Sequence, residues 1–439
     1  MEDKDRKKVL GVVFLTIFLD LVGFSIIFPL FPEMIEFYFG NELPAWIRSM
    51  RVAILELVGP AESISEHFLI IVFFGGVLGS IYSLLQFLFA PVWGHFSDLY
   101  GRKPIMILTV SGIFISYVLW IFADAFAALI LARVIGGIMS GNLSAATASV
   151  ADITTRKKRA SGMAIVGIAF GLGFMVGPAI GGLSAMINLL EWNPALAEFG
   201  INPFSFPAMI SALLAGLNLL WVVTKFPETL PAEKRKRSEA SRIVYPIFGI
   251  MDQPHAGVQR SIVLYLIFMI SFSGMEFTLT FLAAERLSFK SLENGLMFLL
   301  IGFVLMIVQG VVVRRMAPRI GEKKLMMFGF IIAIPSFWVL SMSQNLTFFL
   351  FGITGMSTAV ALVSPSITSL VSLYSDEREQ GLNLGVFRSA GSLARAIGPV
   401  LAGIAYFGLN SENTYRIGAI LMIVPFFLCM SLPTPPKRE

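Results

Sequence analysis

One cysteine, three histidines and a charged fraction of only 14% leave this 439-residue sequence little material for metal, thiol or acid–base chemistry. Cys429 stands alone in an apolar run, which excludes a disulfide framework and a cysteine-based metal site. His67, His95 and His255 are expected between apolar runs and have no metal-ligand spacing. There is no phosphate-binding glycine loop, nucleophile elbow or hydrolytic carboxylate pair. ATP-driven transport and enzymatic catalysis are therefore disfavoured, and no metal or organic cofactor is expected.

What the chain has in excess is apolar sequence. Hydrophobic residues make up 56% of it, 40 of them Phe, and the mean hydropathy is +0.80, far above that of a soluble chain of this size. A membrane-crossing helix needs about 20 mostly apolar residues. The sequence predicts twelve such spans, at 9–31, 68–93, 104–123, 125–151, 161–187, 204–225, 261–284, 292–313, 323–343, 346–373, 381–407 and 415–432. The expected fold class is all-α and integral to the membrane. The run that starts at Val9 is too long for a cleavable signal and lacks a processing site, so it is expected to remain as the first span.

Lysine and arginine set the orientation, because cytoplasmic segments retain cations. Twenty-five of the 33 fall on the side of the N-terminus. Five lie on the other side (Arg48, Arg51, Arg286, Lys290 and Arg416), and Arg133, Arg388 and Arg395 lie within spans. Both termini are predicted to be cytoplasmic. The run Lys234–Arg237 is then a positive-inside feature, and the net charge of +5 calls for no nucleic-acid partner. Asn345-Leu346-Thr347 sits in a loop too short to be a good glycan acceptor, and a bacterial inner membrane is the expected location.

A charged, proline-bearing linker at 226–260 separates residues 1–225 from 261–439, with six spans in each. Gly177-Pro178-Ala179-Ile180-Gly181-Gly182 in the fifth span recurs as Gly398-Pro399-Val400-Leu401-Ala402-Gly403 in the eleventh. The turn Gly94–Pro104, which contains Gly94, Asp98, Gly101, Arg102 and Lys103, is echoed at Arg314–Lys324, with Pro318 in the place of Asp98. Two pseudo-symmetric six-helix bundles around a midplane site are a common architecture for alternating access. The segment 41–67, with Trp46, Ile47, Met50, Ile54 and Leu57, is expected to lie on one membrane surface, and 241–258 on the other.

Ionisable groups inside a bilayer are costly and mark functional sites. Asp20 is centred in the first span and Glu276 in the seventh, so both are candidate proton or substrate acids. Aligning Gly274 with Gly23 sets Glu276 opposite Ser25. Arg133 needs a counter-charge, for which Asp20 is the candidate. Arg388 and Arg395 are seven residues apart and share one helical face. Asp98, at the C-terminal end of the second helix, is disfavoured by the helix dipole; Arg102 and the start of the eleventh helix near Gln380 and Gly381 are its candidate partners, the latter as a gate. Phe268, Met269, Phe272, Met275, Phe277, Phe298 and Phe303 are candidate pocket residues.

The Gly94–Pro104 turn, the twelve spans, Arg133-x-x-x-Gly137-x-x-x-Gly141 and Gly177-Pro178-x-x-Gly181-Gly182 together resemble the major facilitator transporters. The first span, with Asp20, Gly23 and Pro29-Leu30-Phe31-Pro32, and the eleventh from Phe387 to Pro399 resemble the tetracycline-resistance efflux branch. That resemblance implies a proton-coupled antiporter exporting a small amphipathic organic molecule, working as a monomer in lipid with protons as the coupling ion. It also implies proton transfer through Arg133 and a link between the glycine–proline motif and antiport, although helix packing explains that motif equally well. Three interior arginines against two acids depart from the pattern of a cation-only drug pump. They leave open a carrier of organic anions or anionic lipids that uses Arg388 and Arg395. A non-transporting receptor or scaffold is the reading from another class.

Overall fold

A bilayer offers backbone N–H and C=O groups no solvent partner, so each apolar run closes its hydrogen bonds within itself and becomes a helix. The computed structural model describes residues 3–40, 66–154, 156–230, 256–375 and 380–434, with isolated positions 49 and 235. The surface segments expected at 41–67 and 241–258, and most of the Lys234–Arg237 run, lie outside the described residues. All twelve apolar runs are helical, and no strand occurs among the described residues. Among the described residues, eleven spans are long and apolar enough to cross a membrane. The twelfth, Gln380–Leu409, has 30 residues and carries Arg388 and Arg395.

Several spans are interrupted where the sequence gives a physical reason. The first runs Asp3–Ser25, passes through a 3-10 turn at Phe28–Leu30 and continues as Phe31–Gly40; Pro29 and Pro32 withhold the N–H groups that a continuous helix needs. The fourth is split into Phe126–Met139 and Asn142–Ile153, with Gly141 packed on the Trp93 indole, which donates to the Ile138 carbonyl at 2.6 Å. The eighth, from Ser291, contains a π-helical segment at Val308–Val313, a form that commonly marks a functional position.

The predicted polar turn at Gly94–Pro104 contains one non-helical residue. The second span, Glu66–Tyr100, ends against Gly101, and the third starts at Arg102. Gly101 has φ +105°, and its counterpart in the second half, Gly321, has φ +83°. Glu228 lies against Gly101 and accepts from the backbone N–H groups of Arg102 (2.9 Å) and Lys103 (3.3 Å), capping the third span. Gly101→Ala therefore meets both an unfavourable φ and the Glu228 carboxylate, whereas Gly321→Ala meets nothing within 4 Å. Thermal unfolding in detergent is expected to show a loss of about 2–4 kcal/mol for the first and about 1–2 kcal/mol for the second.

Two compact units are present, one comprising 1–28 with 81–245 and the other 29–80 with 246–439. In the first, the opening span packs on the fifth and sixth through Val9, Val13, Ile17, Val166, Ala169 and Val222. In the second, Glu33 accepts from the Ser291 backbone at 3.0 Å and from the Ser291 hydroxyl, placing an anion at the N-terminus of the eighth span. At the end of the seventh span, Arg286 donates to the carbonyls of Leu340, Ser341 and Ser343, which close the ninth. Glu285 beside it accepts from the hydroxyls of Tyr406 and Ser411.

Candidate functional site

The glycine–proline motif sets the register of both units by the same contact. In the first unit Ser25 donates to the Gly173 carbonyl (3.2 Å), and Gly177 lies so close to Ser25 that a β-carbon would overlap its hydroxyl and come within 2.7 Å of the Val22 carbonyl. In the second unit Ser273 donates to the Ala394 carbonyl (3.0 Å), and a β-carbon on Gly398 would overlap the Ser273 hydroxyl and lie 2.6 Å from the Ile270 carbonyl. Ser273 is thus the counterpart of Ser25. The glycine alignment used above is out by three residues, and Glu276 corresponds to Phe28. Pro178, Gly181, Gly182 and Pro399 lie buried in the same two helices, consistent with small residues allowing close helix approach.

With that register fixed, the two units differ in one informative place. In the first unit Phe28 packs against Phe174, with ring centroids 6.0 Å apart. The counterparts in the second unit are Glu276 and Arg395, which interact electrostatically. Glu276 lines a cavity with Phe272, Met275, Phe298, Met356 and Ser357. Of the other candidate pocket residues, Phe268 is fully buried in the core, Phe277 packs on Phe31 at 5.9 Å, and Phe303 is exposed on the outside of its helix. Arg388 lies one heptad before Arg395, and Tyr265 of the seventh span interacts electrostatically with both.

In the first unit Asp20 is half-buried and hydrogen-bonded by the side chain of Asn142. Asn142 is the first residue after the break in the fourth span, and its amide oxygen accepts from Leu143 N (2.9 Å), which leaves its NH2 group for the carboxylate. Arg133 is buried, and its guanidinium lies over the rings of Tyr82 (5.3 Å) and Phe24 (5.7 Å). Among the described residues no ion pair joins Asp20 to Arg133, and Arg133 Nε and Nη2 have no hydrogen-bond partner. Aromatic faces take the place of the expected carboxylate, a contact that strengthens with desolvation. Gly137 and Gly141 let the fourth span approach the second, at Tyr82 and Trp93.

The motif around Gly101 forms a local ion network. Arg102 pairs with Asp98 at 2.6 Å and with Asp152 at 3.0 Å, and donates to Ser97 Oγ at 2.6 Å. Gly94 approaches Ser144 of the fourth span. The expected Arg102 partner of Asp98 is therefore present. The side chains of Gln380 and Gly381, the other candidate partner, lie outside the described residues. Asp152, Glu228 and Asn142 are contributors that the sequence reading missed. For the first two, the buried cation and the helix start at Arg102 were usable signals, since both need acids.

The sequence pattern of the Major Facilitator Superfamily matches residues 13–357 and 311–439. The mouse Major facilitator superfamily domain-containing protein 10 is 33% identical, over 99% of this chain and 95% of that protein. The class B tetracycline resistance protein of Escherichia coli is 26% identical, over 94% of this chain and 91% of its own length. Among solved structures, the crystal structure of the human organic anion transporter MFSD10 is similar with a TM-score of 0.77 at 33% identity, covering 98% of this chain and all of that one.

Proposed function

The chain belongs to the Major Facilitator Superfamily, and we propose that it is a proton-coupled carrier of amphipathic organic anions. The observation that carries this reading is Arg388 and Arg395 on one face of a membrane-embedded helix, with Glu276 acting on Arg395 at a position where the first unit has only phenylalanines. Cations at that depth mark a substrate or ion path. Similarity to a human organic anion transporter supports the same reading.

Coupling follows from competition for Arg395. A proton on Glu276 removes the negative charge that acts on Arg395 and so strengthens the pull of Arg395 on a substrate anion, and an anion bound there favours the protonated acid by like-charge repulsion. Proton and univalent anion then move together and without net charge, through a site exposed to each side in turn. This coupling sense differs from the antiport that the sequence resemblance implies. A second reading, exchange of a proton for an amphipathic drug, is favoured by Asp20, which is held by Asn142 away from any ion pair among the described residues, and by similarity to a tetracycline resistance protein. In either case the excess of Lys and Arg on one side supports a cytoplasmic location for both termini. The carrier is integral to the membrane and works on a small molecule.

Binding of two ligands with the same apolar body, one an organic sulfonate and one an organic ammonium, tests the anion site. Arg388→Gln and Arg395→Gln are each expected to weaken the sulfonate about 10- to 100-fold, the range of a charge-assisted hydrogen bond, and to leave the ammonium unaffected. Equal effects on both ligands, or no effect, contradict the reading.

A further inference from the structure

Resting on the anion reading, we infer that Tyr265 is a third contact of the anion site, its phenol donating to the bound anion between Arg388 and Arg395, and that Gly391 is the residue that seats it there. Gly391 lies three residues after Arg388 and four before Arg395, so the three share one face of the eleventh helix, with the glycine between the cations. The phenol end of Tyr265 rests directly on that glycine: a β-carbon on Gly391 would lie 2.9 Å from Tyr265 Cε1 and 3.0 Å from its hydroxyl oxygen. The ring is held by Phe387, stacked at 4.0 Å with planes 26° apart. The backbone of the seventh helix, the stacked ring and the missing side chain together fix the hydroxyl against the glycine that lies between Arg388 and Arg395, whose α-carbons are about 10 Å apart along the helix, and the phenol interacts electrostatically with both arginines.

The fold does not demand this arrangement. By the Ser25–Ser273 register, Tyr265, Arg388, Gly391 and Arg395 correspond to Ile17, Gly167, Phe170 and Phe174 in the first unit. There Ile17 is buried in the core, Phe170 and Phe174 pack against it, and a β-carbon on Gly167 would meet nothing within 4 Å. One helix pair is thus built twice, once with an apolar filling and once with two cations and a hydroxyl. A glycine that replaces phenylalanine at the point of contact makes room for a side chain from the neighbouring helix, and the one that enters carries a hydrogen-bond donor. A phenol within electrostatic range of two arginines has an anion as its natural acceptor, because neither arginine can accept.

The test is equilibrium binding of the matched sulfonate and ammonium to the purified full-length chain and its Tyr265→Phe, Gly391→Ala and Arg395→Gln variants. Tyr265→Phe keeps the stack on Phe387 and removes only the hydroxyl. It is expected to weaken the sulfonate roughly tenfold and leave the ammonium within twofold. Gly391→Ala is expected to weaken the sulfonate at least as much, and Tyr265→Phe is expected to cost less in the Arg395→Gln background than alone, because both groups hold one anion. A packing role for Tyr265 predicts no change in Tyr265→Phe. Unchanged sulfonate binding in Tyr265→Phe, with Arg388→Gln and Arg395→Gln still weakened, overturns this inference and leaves the anion reading standing. Unchanged binding in both arginine variants overturns the anion reading itself. Should Gly391→Ala fail to fold, Tyr265→Phe alone decides the matter.

Discussion

Glu276→Gln is expected to abolish the accumulation of substrate that a pH gradient drives, while leaving anion binding in place. The amide resembles the protonated acid in shape and charge, so Arg395 remains available to substrate, but no proton can be released or taken up. One pH unit supplies about 1.4 kcal/mol, and one proton moving with one univalent anion converts that into about a tenfold concentration ratio. Proteoliposomes under a one-unit gradient should therefore accumulate substrate about tenfold with the wild-type chain and reach a ratio near one with Glu276→Gln. Exchange of labelled for unlabelled substrate, which needs no proton, should persist. A variant that still accumulates tenfold would move the proton to another acid. Asp20, with its Asn142 partner, would be the next candidate.

The largest structural effect is expected at the two motif glycines. In Gly177→Val and Gly398→Val the new β-carbon runs into a serine hydroxyl and a carbonyl of the neighbouring helix, Ser25 with Val22 O and Ser273 with Ile270 O. A backbone carbonyl inside a helix cannot turn away, so the helices must separate along their length, at a cost of about 3 kcal/mol or more. The expected result is loss of monodisperse protein or a fall in thermal stability large enough to prevent purification. Gly171→Ala on the same fifth span, with nothing within 4 Å, is expected to change stability by no more than about 1 kcal/mol. Equal tolerance at all three positions would mean that the motif is not a packing contact.

Much of the fold was legible because hydropathy alone separates lipid-spanning runs from connections; the boundaries were less so, since the second span continues to Tyr100 through polar residues that a helix end can expose to water, and the fourth breaks after Met139. The candidate site was legible where a charge stood in an apolar run, as with Asp20, Arg133, Glu276, Arg388 and Arg395. The partners of those charges were not. Arg133 suggested a carboxylate, yet its guanidinium packs on Phe24 and Tyr82, and aromatic residues are too common in this sequence to single out two. Asn142 carries no charge and follows Ser140-Gly141, which read as part of a glycine motif rather than as the end of one helix and the start of another. The alignment of the halves slipped by three residues because it matched glycine to glycine. The serine-to-carbonyl contact that sets the register involves backbone atoms that any residue supplies. Tyr265 was invisible for a related reason: its importance comes from Gly391, on a helix more than a hundred residues away.

The most direct measurement is uptake of a permanently charged organic sulfonate, which does not cross the bilayer as a neutral acid, into proteoliposomes carrying the wild-type chain under a pH gradient of either sign. Cotransport through Glu276 and Arg395 predicts accumulation in the more alkaline compartment, reversing when the gradient is reversed and lost in Arg395→Gln. Accumulation on the acidic side would contradict cotransport in favour of proton exchange, and flux indifferent to pH would contradict proton coupling altogether.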